Sequence, residues 1–397
     1  MNWPTKKLSA VTQINPRRVS IERGDSVSTS FVPMEAVDEI LGEISQAVTQ
    51  PYSKVKKGYT YFENGDVIFA KITPCMQNGK HAVVNNLIDG FGFGSTEFHV
   101  IRASEQIVPE WIHYYLRRKQ TLDAALKTFT GSVGQQRVPS TFLEDLDIPV
   151  PDPNLQRQIA ARLKSQLAEV ETARQAAQVQ LREARLLSTK IVDSMFNQFD
   201  EWQPIGEVAK VQSGYAFKSE SFKPSGIRLL RNANILPGKI YWDDVVYIDP
   251  NDASRYQSYV LKERDILISL DRPLISSGIK VARVGKSDLP ALLLQRVGRF
   301  LLEPTEIDAD FLYAFLQSSR FIDAISGHDQ SLGVPHISPG QVEAIEIPIL
   351  PLDEQRCIAT QLRQRLAEAD TLRTALEQQL RDLDALPQRI LAKAFDT

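Results

Sequence analysis

The sequence is short of the residues that disulfide frameworks and metal sites require. Only Cys75 and Cys357 are cysteines among 397 residues, which is too few for a disulfide framework or a thiolate zinc site. The five histidines show no metal-ligand spacing, and we interpret His81, His99 and His113 as structural residues. We therefore expect a protein without a metal site, in a reducing cytoplasm.

Long hydrophobic runs are missing as well. No apolar run approaches the roughly 20 residues that span a bilayer, so no membrane segment is expected. The N-terminal residues 1–7 lack the apolar stretch of a secretory signal. The formal net charge of −3 counts against a protein that simply coats DNA, which would usually be basic. It does not exclude a DNA reader with local basic patches, whose partner subunits could neutralise phosphates.

Catalytic motifs are incomplete or absent. The string Gly285-Lys286-Ser287 is half of a phosphate-binding loop, but Lys280 stands where the first glycine of that loop must be. The string Phe91-Gly92-Phe93-Gly94 is similar to the glycine loop of methyltransferases, but no Asn-Pro-Pro-aromatic segment follows, which favours a plain turn. No Asp/Glu-x-Lys tripeptide of metal-dependent nucleases exists. An enzyme that acts alone is the least favoured interpretation.

The sequence does contain an internal repeat with an offset of 199 positions, since Trp3 falls on Trp202. Further matched pairs are Asp66-Val67-Ile68 with Asp265-Ile266-Leu267, Ile148-Pro149 with Ile347-Pro348, Gln156-Arg157 with Gln355-Arg356, and Phe196 with Phe395. Chance rarely holds one offset over so long a stretch. A period of this length predicts a duplicated domain rather than a solenoid, whose repeats are about 20–50 residues.

Each copy ends in a proline-rich hinge followed by a long helix. The hinges lie at 148–153 and 347–351, and the segments after them are rich in good helix formers. Apolar residues recur there every seven positions: Leu163, Val170, Ala177, Ala184 and Ile191, then Leu362, Ala369, Leu376, Leu383 and Ile390. This spacing predicts a coiled coil. The alternative is two amphipathic helices that dock on globular domains.

The predicted fold is therefore α+β, with two pseudo-symmetric β-rich domains and two long helices. We place the first β-rich domain at 1–150, the first helix at 151–199, the second β-rich domain at 200–350 and the second helix at 351–397. By this connectivity, helices that pair with each other must run antiparallel. Two similar heads at a fixed separation would suit the reading of two short sites along a rod-like polymer.

Specific strings in the second copy carry a family resemblance. They lie at 205–242, 264–284 and 292–299, and the hinge with Leu352-Asp353-Glu354-Gln355-Arg356 follows them. Together they resemble the target-recognition domains and linker of type I restriction-modification specificity subunits. The likeness covers essentially the whole chain, and in the first copy it rests mainly on Gly65-Asp66-Val67-Ile68, Gly94-Ser95-Thr96-Glu97 and the hinge.

The resemblance implies a non-catalytic subunit that recognises double-stranded DNA. Each target-recognition domain would read one half of a split target, and the coiled-coil helices would fix the unread gap. Two methyltransferase subunits would bring S-adenosylmethionine, and motor-nuclease subunits would bring ATP and Mg²⁺. No cofactor is expected on this chain. The alternatives are a specificity subunit of a type IIB-like system, which cleaves on both sides of its site, and a coiled-coil adaptor that binds proteins.

Candidate DNA contacts in the second copy form three groups, because base edges and phosphates are read by basic, amide and short polar side chains. One group combines aromatic, basic and amide residues: Tyr215, Phe217, Lys218, Arg231, Asn232 and Asn234. The others are a polar loop after an apolar strand and a Gln-Arg string that resembles the family's Gln-Arg-Val string: Asp271, Arg272, Ser276 and Lys280, then Gln295 and Arg296. The alternatives are that Asn232 and Asn234 only form turns, that the loop is an ordinary hairpin, and that the arginine of the Gln-Arg string pairs with a carboxylate inside the protein.

Candidate contacts in the first copy, and in two loops before the hinges, are fewer. Lys54, Lys57 and Tyr59 could follow a phosphate backbone, or they could belong to a solvated charged face. The loops at 130–137 and 327–333 are rich in Gly, Ser and Gln, which suits groove contact and equally suits a tight connection. Their candidate residues are Gln135, Gln136, Arg137, His328 and Gln330.

Overall fold

The computed structural model describes residues 3–131, 136–326 and 336–395. The chain divides into two compact units: unit 1 comprises Met1–Gln180 with Leu376–Thr397, and unit 2 comprises Leu181–Ala375. Three candidate contacts, Gln135, His328 and Gln330, lie outside the described residues. Within the described ranges, no helix is long and apolar enough to cross a membrane.

Unit 1 combines short strands with short helices and parts of two long helices. Its strands are β1 (Thr5–Lys7), β2 (Thr12–Ile14), β3 (Ser28–Val32), β4 (Val48–Pro51), β5 (Thr60–Glu63), β6 (Val67–Ala70), β7 (His81–Val83), β8 (Phe91–Gly94), β9 (Phe98–Ala103) and β10 (Asp147–Pro149). Its helices are α1 (Leu8–Val11), α2 (Tyr52–Val55), α3 (Pro109–Leu116), α4 (Lys119–Leu126), α5 (Ser140–Asp145) and the first part of α6 (Pro153–Phe196).

Two four-stranded sheets of order β2-β9-β6-β7 and β4-β3-β8-β5 form the frame of unit 1. All four residues of β6 are buried, because side chains alternate between the two faces of a strand and both faces are covered. Val67 and Phe69 enter one hydrophobic core, which also contains Leu163 of α6, while Ile68 and Ala70 enter another. The unbroken apolar string Val-Ile-Phe-Ala thus specifies a central strand.

Unit 2 contains the second set of strands. They are β11 (Trp202–Pro204), β12 (Ala209–Ser213), β13 (Ile227–Leu230), β14 (Ile235–Leu236), β15 (Lys239–Ile240), β16 (Val246–Ile248), β17 (Ile266–Ser269), β18 (Leu274–Ile275), β19 (Gly278–Ile279), β20 (Val281–Arg283), β21 (Ala291–Leu293), β22 (Val297–Leu302) and β23 (Glu346–Pro348). Its helices are α7 (Pro250–Ala253), α8 (Ala309–Phe315), α9 (Ser319–Ser326), α10 (Pro339–Glu343), the end of α6 and the start of α11 (Leu352–Phe395).

The two units share one topology, which confirms the predicted duplication. The order β12-β22-β17-β20 in unit 2 repeats β2-β9-β6-β7, and β16-β13-β21 repeats β4-β3-β8. The strand pairs β3–β8 and β13–β21 are both parallel, whereas their neighbours in these sheets are antiparallel. The counterpart of β5 is reduced to a single bridge between Val260 and Leu292.

The long helices α6 and α11 each contain 44 residues, and Pro387 lies inside α11 without ending it. Most residues of the predicted heptad columns are buried, while Ile191, Leu383 and Ile390 are half-buried. In each unit the two helices run antiparallel, because the start of one helix joins the same core as the end of the other. These helix ends are Ile159 and Leu163 with Leu391 and Phe395 in unit 1, and Val192 and Phe196 with Ala359 and Leu362 in unit 2.

Candidate nucleic-acid interface

Three segments of unit 2 meet where the central strand β17 ends. The backbone amide of Leu270 donates to the carbonyl oxygen of Arg296, at 2.8 Å, on the turn that precedes β22. The amide of Ile337 donates to the carbonyl oxygen of Leu270 at 2.9 Å, and Asp271 forms an isolated β-bridge with His336. Residues that lie far apart in the sequence therefore become neighbours at this strand end.

The carboxylate of Asp271 organises the strand end of unit 2. It is 4% exposed and accepts hydrogen bonds from the Arg296 guanidinium and from Nδ1 of His336, the latter at 2.7 Å. Because an ionised carboxylate can only accept, Nδ1 of His336 carries the hydrogen. Burial alone would raise the pKa of Asp271, but the bonds and charges of Arg296 and His336 outweigh it and hold this pKa below its ordinary value.

Arg296 itself points outward from this buried anchor. Its side chain is 62% exposed, whereas that of Asp271 is 6% exposed. Its backbone has a φ of +69°, in the left-handed region that residues other than glycine seldom adopt. Gln295, which precedes it, is also exposed.

The predicted polar loop after β17 lies beside this anchor. Strands β18 and β19 form a short hairpin that carries Ser276 at its exposed tip, and the exposed Arg272 precedes the hairpin. Lys280 is 7% exposed, and its Nζ donates to the carbonyl oxygen of Asn232 at 2.5 Å. Burial lowers the pKa of Lys280, although the charge of Asp271 opposes this shift. Lys280 thus joins the loop to the segment around Asn232 instead of presenting its ammonium group to DNA.

An aromatic cluster borders the same turn. The amide of Gln295 donates to the carbonyl oxygen of Tyr215 at 2.9 Å. The Tyr215 ring is 39% exposed and packs on Phe217 and Tyr256, with centroid distances of 4.9 and 4.6 Å. Phe217 is buried beneath it, and Lys218 is exposed. Of the two aromatic contacts predicted in unit 2, only Tyr215 presents a ring to solvent.

Two other candidates make internal contacts: Asn234, for which a turn was the alternative interpretation, and Arg231. Asn234 is 1% exposed, and its carboxamide accepts from the amide of Arg231 at 3.0 Å and donates to the carbonyl oxygen of Tyr241 at 3.1 Å. The Arg231 guanidinium forms an ion pair with Asp244 at 2.7 Å. Direct DNA contact by Asn234 would break these internal bonds, because its polar atoms are all engaged within the turn.

Unit 1 repeats the same backbone frame at an offset of 199 residues. The amide of Lys71 donates to the carbonyl oxygen of Glu97 at 2.9 Å, and the amide of Val138 donates to that of Lys71 at 2.8 Å. Ile72 forms the bridge with Arg137. We call this arrangement the strand-end frame: residues 71–72, 97 and 137 in unit 1, and residues 270–271, 296 and 336 in unit 2.

The side chains on the strand-end frame of unit 1 differ from those of unit 2. The Arg137 guanidinium donates from Nε and Nη2 to the two carboxylate oxygens of Glu97, each at 2.8 Å. This bidentate bond holds the pKa of Glu97 below its ordinary value. A carboxylate therefore anchors Arg137, as another anchors Arg296. The two carboxylates belong to different segments of the frame, because Glu97 matches Arg296 in the repeat and not Asp271.

The remaining candidates of unit 1 are distributed around this frame. Thr60 pairs with Gly94, so the 46% exposed Tyr59 lies at the sheet end from which the chain continues to Glu97. Lys54 on α2 and Lys57 just after it are exposed. The carbonyl oxygen of Gln136 accepts a hydrogen bond from the amide of Thr73 at 3.1 Å. This backbone bond lies directly next to the frame residues Ile72 and Arg137.

Sequence reasoning missed two frame residues, His336 and Glu97. The repeat offset could have identified His336, because it lies 199 positions after the predicted contact Arg137. Within the described ranges, no group of His, Cys, Asp and Glu could hold a metal ion. The exposed guanidinium groups of the frame and the neighbouring amide of Gln295 can donate hydrogen bonds to base edges or phosphates, and the nearby Tyr215 ring can stack on bases.

Comparison with known proteins identifies the family. A model of the type I restriction modification DNA specificity domain matches residues 2–181 and 200–382. The chain is 32% identical over 484 residues to the type I restriction enzyme EcoAI specificity subunit of Escherichia coli, which covers 97% of this chain and 81% of that protein.

Two solved structures are similar in fold. The HsdS subunit from Thermoanaerobacter tengcongensis has a TM-score of 0.69 and 22% identity, over 99% of this chain and 96% of that chain. A chain from a structural study of assembly and conformational transition of the type I R-M system has a TM-score of 0.71 and 21% identity, over 99% and 97% of the two chains. With its two copies of the specificity domain, the chain belongs to the type I restriction-modification DNA specificity family.

Proposed function

We propose that each unit reads one half of a split DNA target on behalf of a type I restriction-modification complex. The observation that carries this proposal is the strand-end frame. The two units hold three segments with the same backbone hydrogen bonds but present Glu97 with Arg137 in one case, and Arg296 with Asp271 in the other. A duplicated reader of two different half-sites needs this combination, because base identity is read by side chains on a fixed scaffold.

In this proposal the chain carries out no chemistry and binds no cofactor. Two methyltransferase subunits supply S-adenosylmethionine-dependent methylation, and motor-nuclease subunits supply the steps that require ATP and Mg²⁺. The net charge of −3 fits this division of labour, since the partner subunits contribute much of the phosphate neutralisation.

Methylation mapping tests the proposal. This chain is co-expressed with its neighbouring methyltransferase subunit in a methylation-free host, and modified bases are located across the genome. The expected result is a motif with two short defined halves and a constant undefined gap, absent when this chain is omitted. If a complex that assembles and binds S-adenosylmethionine leaves the genome unmodified, an inactive specificity subunit or the adaptor interpretation replaces this one. Double-strand cleavage on both sides of the motif would instead indicate a type IIB-like system.

The long helices give a second test. We propose that α6 and α11 set the number of unread base pairs, because each continues from one unit into the other along the chain. Deletion of one heptad from both helices, residues 170–176 and 369–375, is expected to shift the gap while both halves of the motif stay the same. A gap that stays constant in a variant that still methylates DNA would contradict this role.

A further inference from the structure

Resting on the proposed function, we infer that Arg296 reads a guanine in the half-site of unit 2, and that Asp271 is the residue that positions it. The inference goes beyond the assignment of unit 2 as a reader, because it names the side chain, the base and the support.

The first argument is the contrast in burial across the Arg296–Asp271 pair. A long arginine side chain loses conformational freedom when it binds, and an anchor that orders it beforehand lowers that cost. Asp271 provides such an anchor, because its carboxylate is 6% exposed and is also bonded to His336, while the guanidinium above it is 62% exposed. The pair therefore presents a fixed cation to the surface.

The second argument is the backbone of Arg296. A φ of +69° is unfavourable for any residue with a Cβ, and glycine would adopt it without strain. Such strain persists only where the surrounding structure imposes it, and here it falls on an exposed side chain that has exposed polar neighbours at the end of β17. Glu97 occupies the matching place in unit 1 and is not among the described residues that have a positive φ. At this place of the frame, the strain is thus present in unit 2 and not in unit 1.

The third argument is the set of donors that remains. Among the described residues, Asp271 is the one partner of the Arg296 guanidinium, and it engages Nη1. The other N–H donors have no partner among the described residues, and they belong to a planar fork that matches the O6 and N7 acceptors of guanine in the major groove. Exposed Gln295 and Arg272 flank the fork and can bind a neighbouring base edge or phosphate. At the matching place in unit 1, the carboxylate of Glu97 cannot donate to guanine, so the two units specify different bases there.

The experiment measures the base preference of methylation by the assembled complex with Arg296→Ala. The wild-type complex should require guanine at one position of the unit 2 half-site. The variant should accept other bases there, with a loss of discrimination of about 10- to 100-fold, while the rest of the motif stays the same. Purified variant complexes are melted first to verify that they fold.

Arg264 offers a matched control beside the opposite end of strand β17. It also belongs to unit 2, has a φ of +70°, is 61% exposed and pairs with an aspartate, Asp310, at 3.0 Å. It precedes β17, however, whereas Arg296 lies at the other end of this strand. Arg264→Ala should leave the motif unchanged.

The positioning role of Asp271 is tested by a double-mutant cycle. Asp271→Asn should weaken discrimination at the same base position, by less than Arg296→Ala. It should have no further effect on this position when Arg296 is already alanine, because its contribution passes through the guanidinium. A purely structural aspartate would instead reduce methylation equally in both backgrounds.

Each outcome decides between the interpretations. If Arg296→Ala leaves the motif and the rate unchanged, the inference is wrong while the proposed function stands on the wild-type motif. A uniform loss of methylation with the same motif would make Arg296 a phosphate contact and would also overturn it. If the wild-type complex produces no motif, the proposed function fails and this inference fails with it.

Discussion

Unit 1 and unit 2 carry ion pairs of opposite polarity on the same backbone. Just before strand β9, unit 1 has the anion Glu97. At the matching place, just before strand β22, unit 2 has the cation Arg296. The backbone hydrogen bonds that join the segments measure 2.9 and 2.8 Å in unit 1, and 2.8 and 2.9 Å in unit 2. Folding therefore fixes the frame, whereas the side chains that point away from it differ between the copies.

The interior of the units shows why the frame is shared. The central strands β6 and β17 are buried along their whole length, since two cores cover them. Gln156 and Gln355, each at the start of a long helix, are 0% and 2% exposed and make the same three hydrogen bonds to the backbone around them. Any change in these residues would leave a cavity or an unpaired polar group, a cost that the exposed frame residues do not carry.

The largest expected effect comes from removal of the aromatic residue at the end of each long helix. Phe395 packs on Trp111 with a centroid distance of 4.4 Å in unit 1, and Phe196 packs on Phe311 at 5.3 Å in unit 2. Substitution of either by alanine should lower the free energy of unfolding of its own unit by about 3–5 kcal/mol, through lost burial and the cavity left behind. Hydrogen exchange followed by mass spectrometry reports each unit separately.

Exposed leucines on the same helices provide the control for this pair. Leu186 of α6 is 53% exposed and Leu372 of α11 is 47% exposed, so their alanine variants should exchange like the wild type. Equal loss of protection in both units from Phe395→Ala alone would contradict the assignment of the C-terminal turns to unit 1.

The buried glutamines test whether the helix starts are held equivalently. Gln156→Leu keeps the side-chain volume but removes the acceptor of the Val108 amide, and Gln355→Leu does the same for the amide of Asp308. Each should destabilise its own unit by roughly 2–3 kcal/mol, because a buried backbone amide loses its partner. Protection near residues 106–108 and 306–308 is the readout, and a neutral result in one unit would show that the two attachments differ.

The repeat, the central strands and the heptads could be predicted because each follows from periodicity. A single offset of 199 residues aligns both copies, an unbroken apolar string gives a strand with two buried faces, and spacing by seven gives the helix pair. These patterns record burial, which is the property that sequence expresses most directly.

The strand-end frame was harder to predict because it depends on long-range pairing. Matching of the loops at 130–137 and 327–333 by composition placed them 197 residues apart, which hid the correspondence between Arg137 and His336. Asn234 and Lys280 had the right chemistry for DNA contact, but burial, which residue type alone does not reveal, turns their polar atoms inward. Arg296 was predicted from the family resemblance, yet its buried anchor Asp271 became visible only in three dimensions.

Through its buried histidines, unit 1 is expected to lose stability in acid. His81 is fully buried, stacks on Phe69 and faces Arg117 and His113, and burial lowers its pKa to about 3. Val281 holds the matching place in unit 2, paired with Ile268 as His81 is paired with Phe69. Since the unfolded chain binds this proton near pH 6.5, stability is intact above that pH and is lost as the pH falls toward 3.

His81→Val tests this difference directly. It should reduce the loss of unfolding free energy between pH 8 and pH 5 by roughly 2 kcal/mol, and the value at pH 8 reports separately the cost of the cavity. Denaturant unfolding of the wild type and the variant at both pH values measures it. If unit 1 of the variant stays as acid-sensitive as the wild type, His113, whose pKa burial also lowers, carries the effect instead.

The smallest expected effect is that of Glu97→Gln on stability. The pair with Arg137 is partly exposed, with side-chain exposures of 23% and 41%, and ion pairs of this kind contribute little to folding. Because the bond lowers the pKa of Glu97, its contribution is present at neutral pH and fades as the pH falls below about 4.5. A thermal melt at pH 7 should therefore shift by no more than about 2 °C. A larger shift would mean that this strand end supports the fold of unit 1, whereas a small one leaves its side chains free to differ between readers of different half-sites.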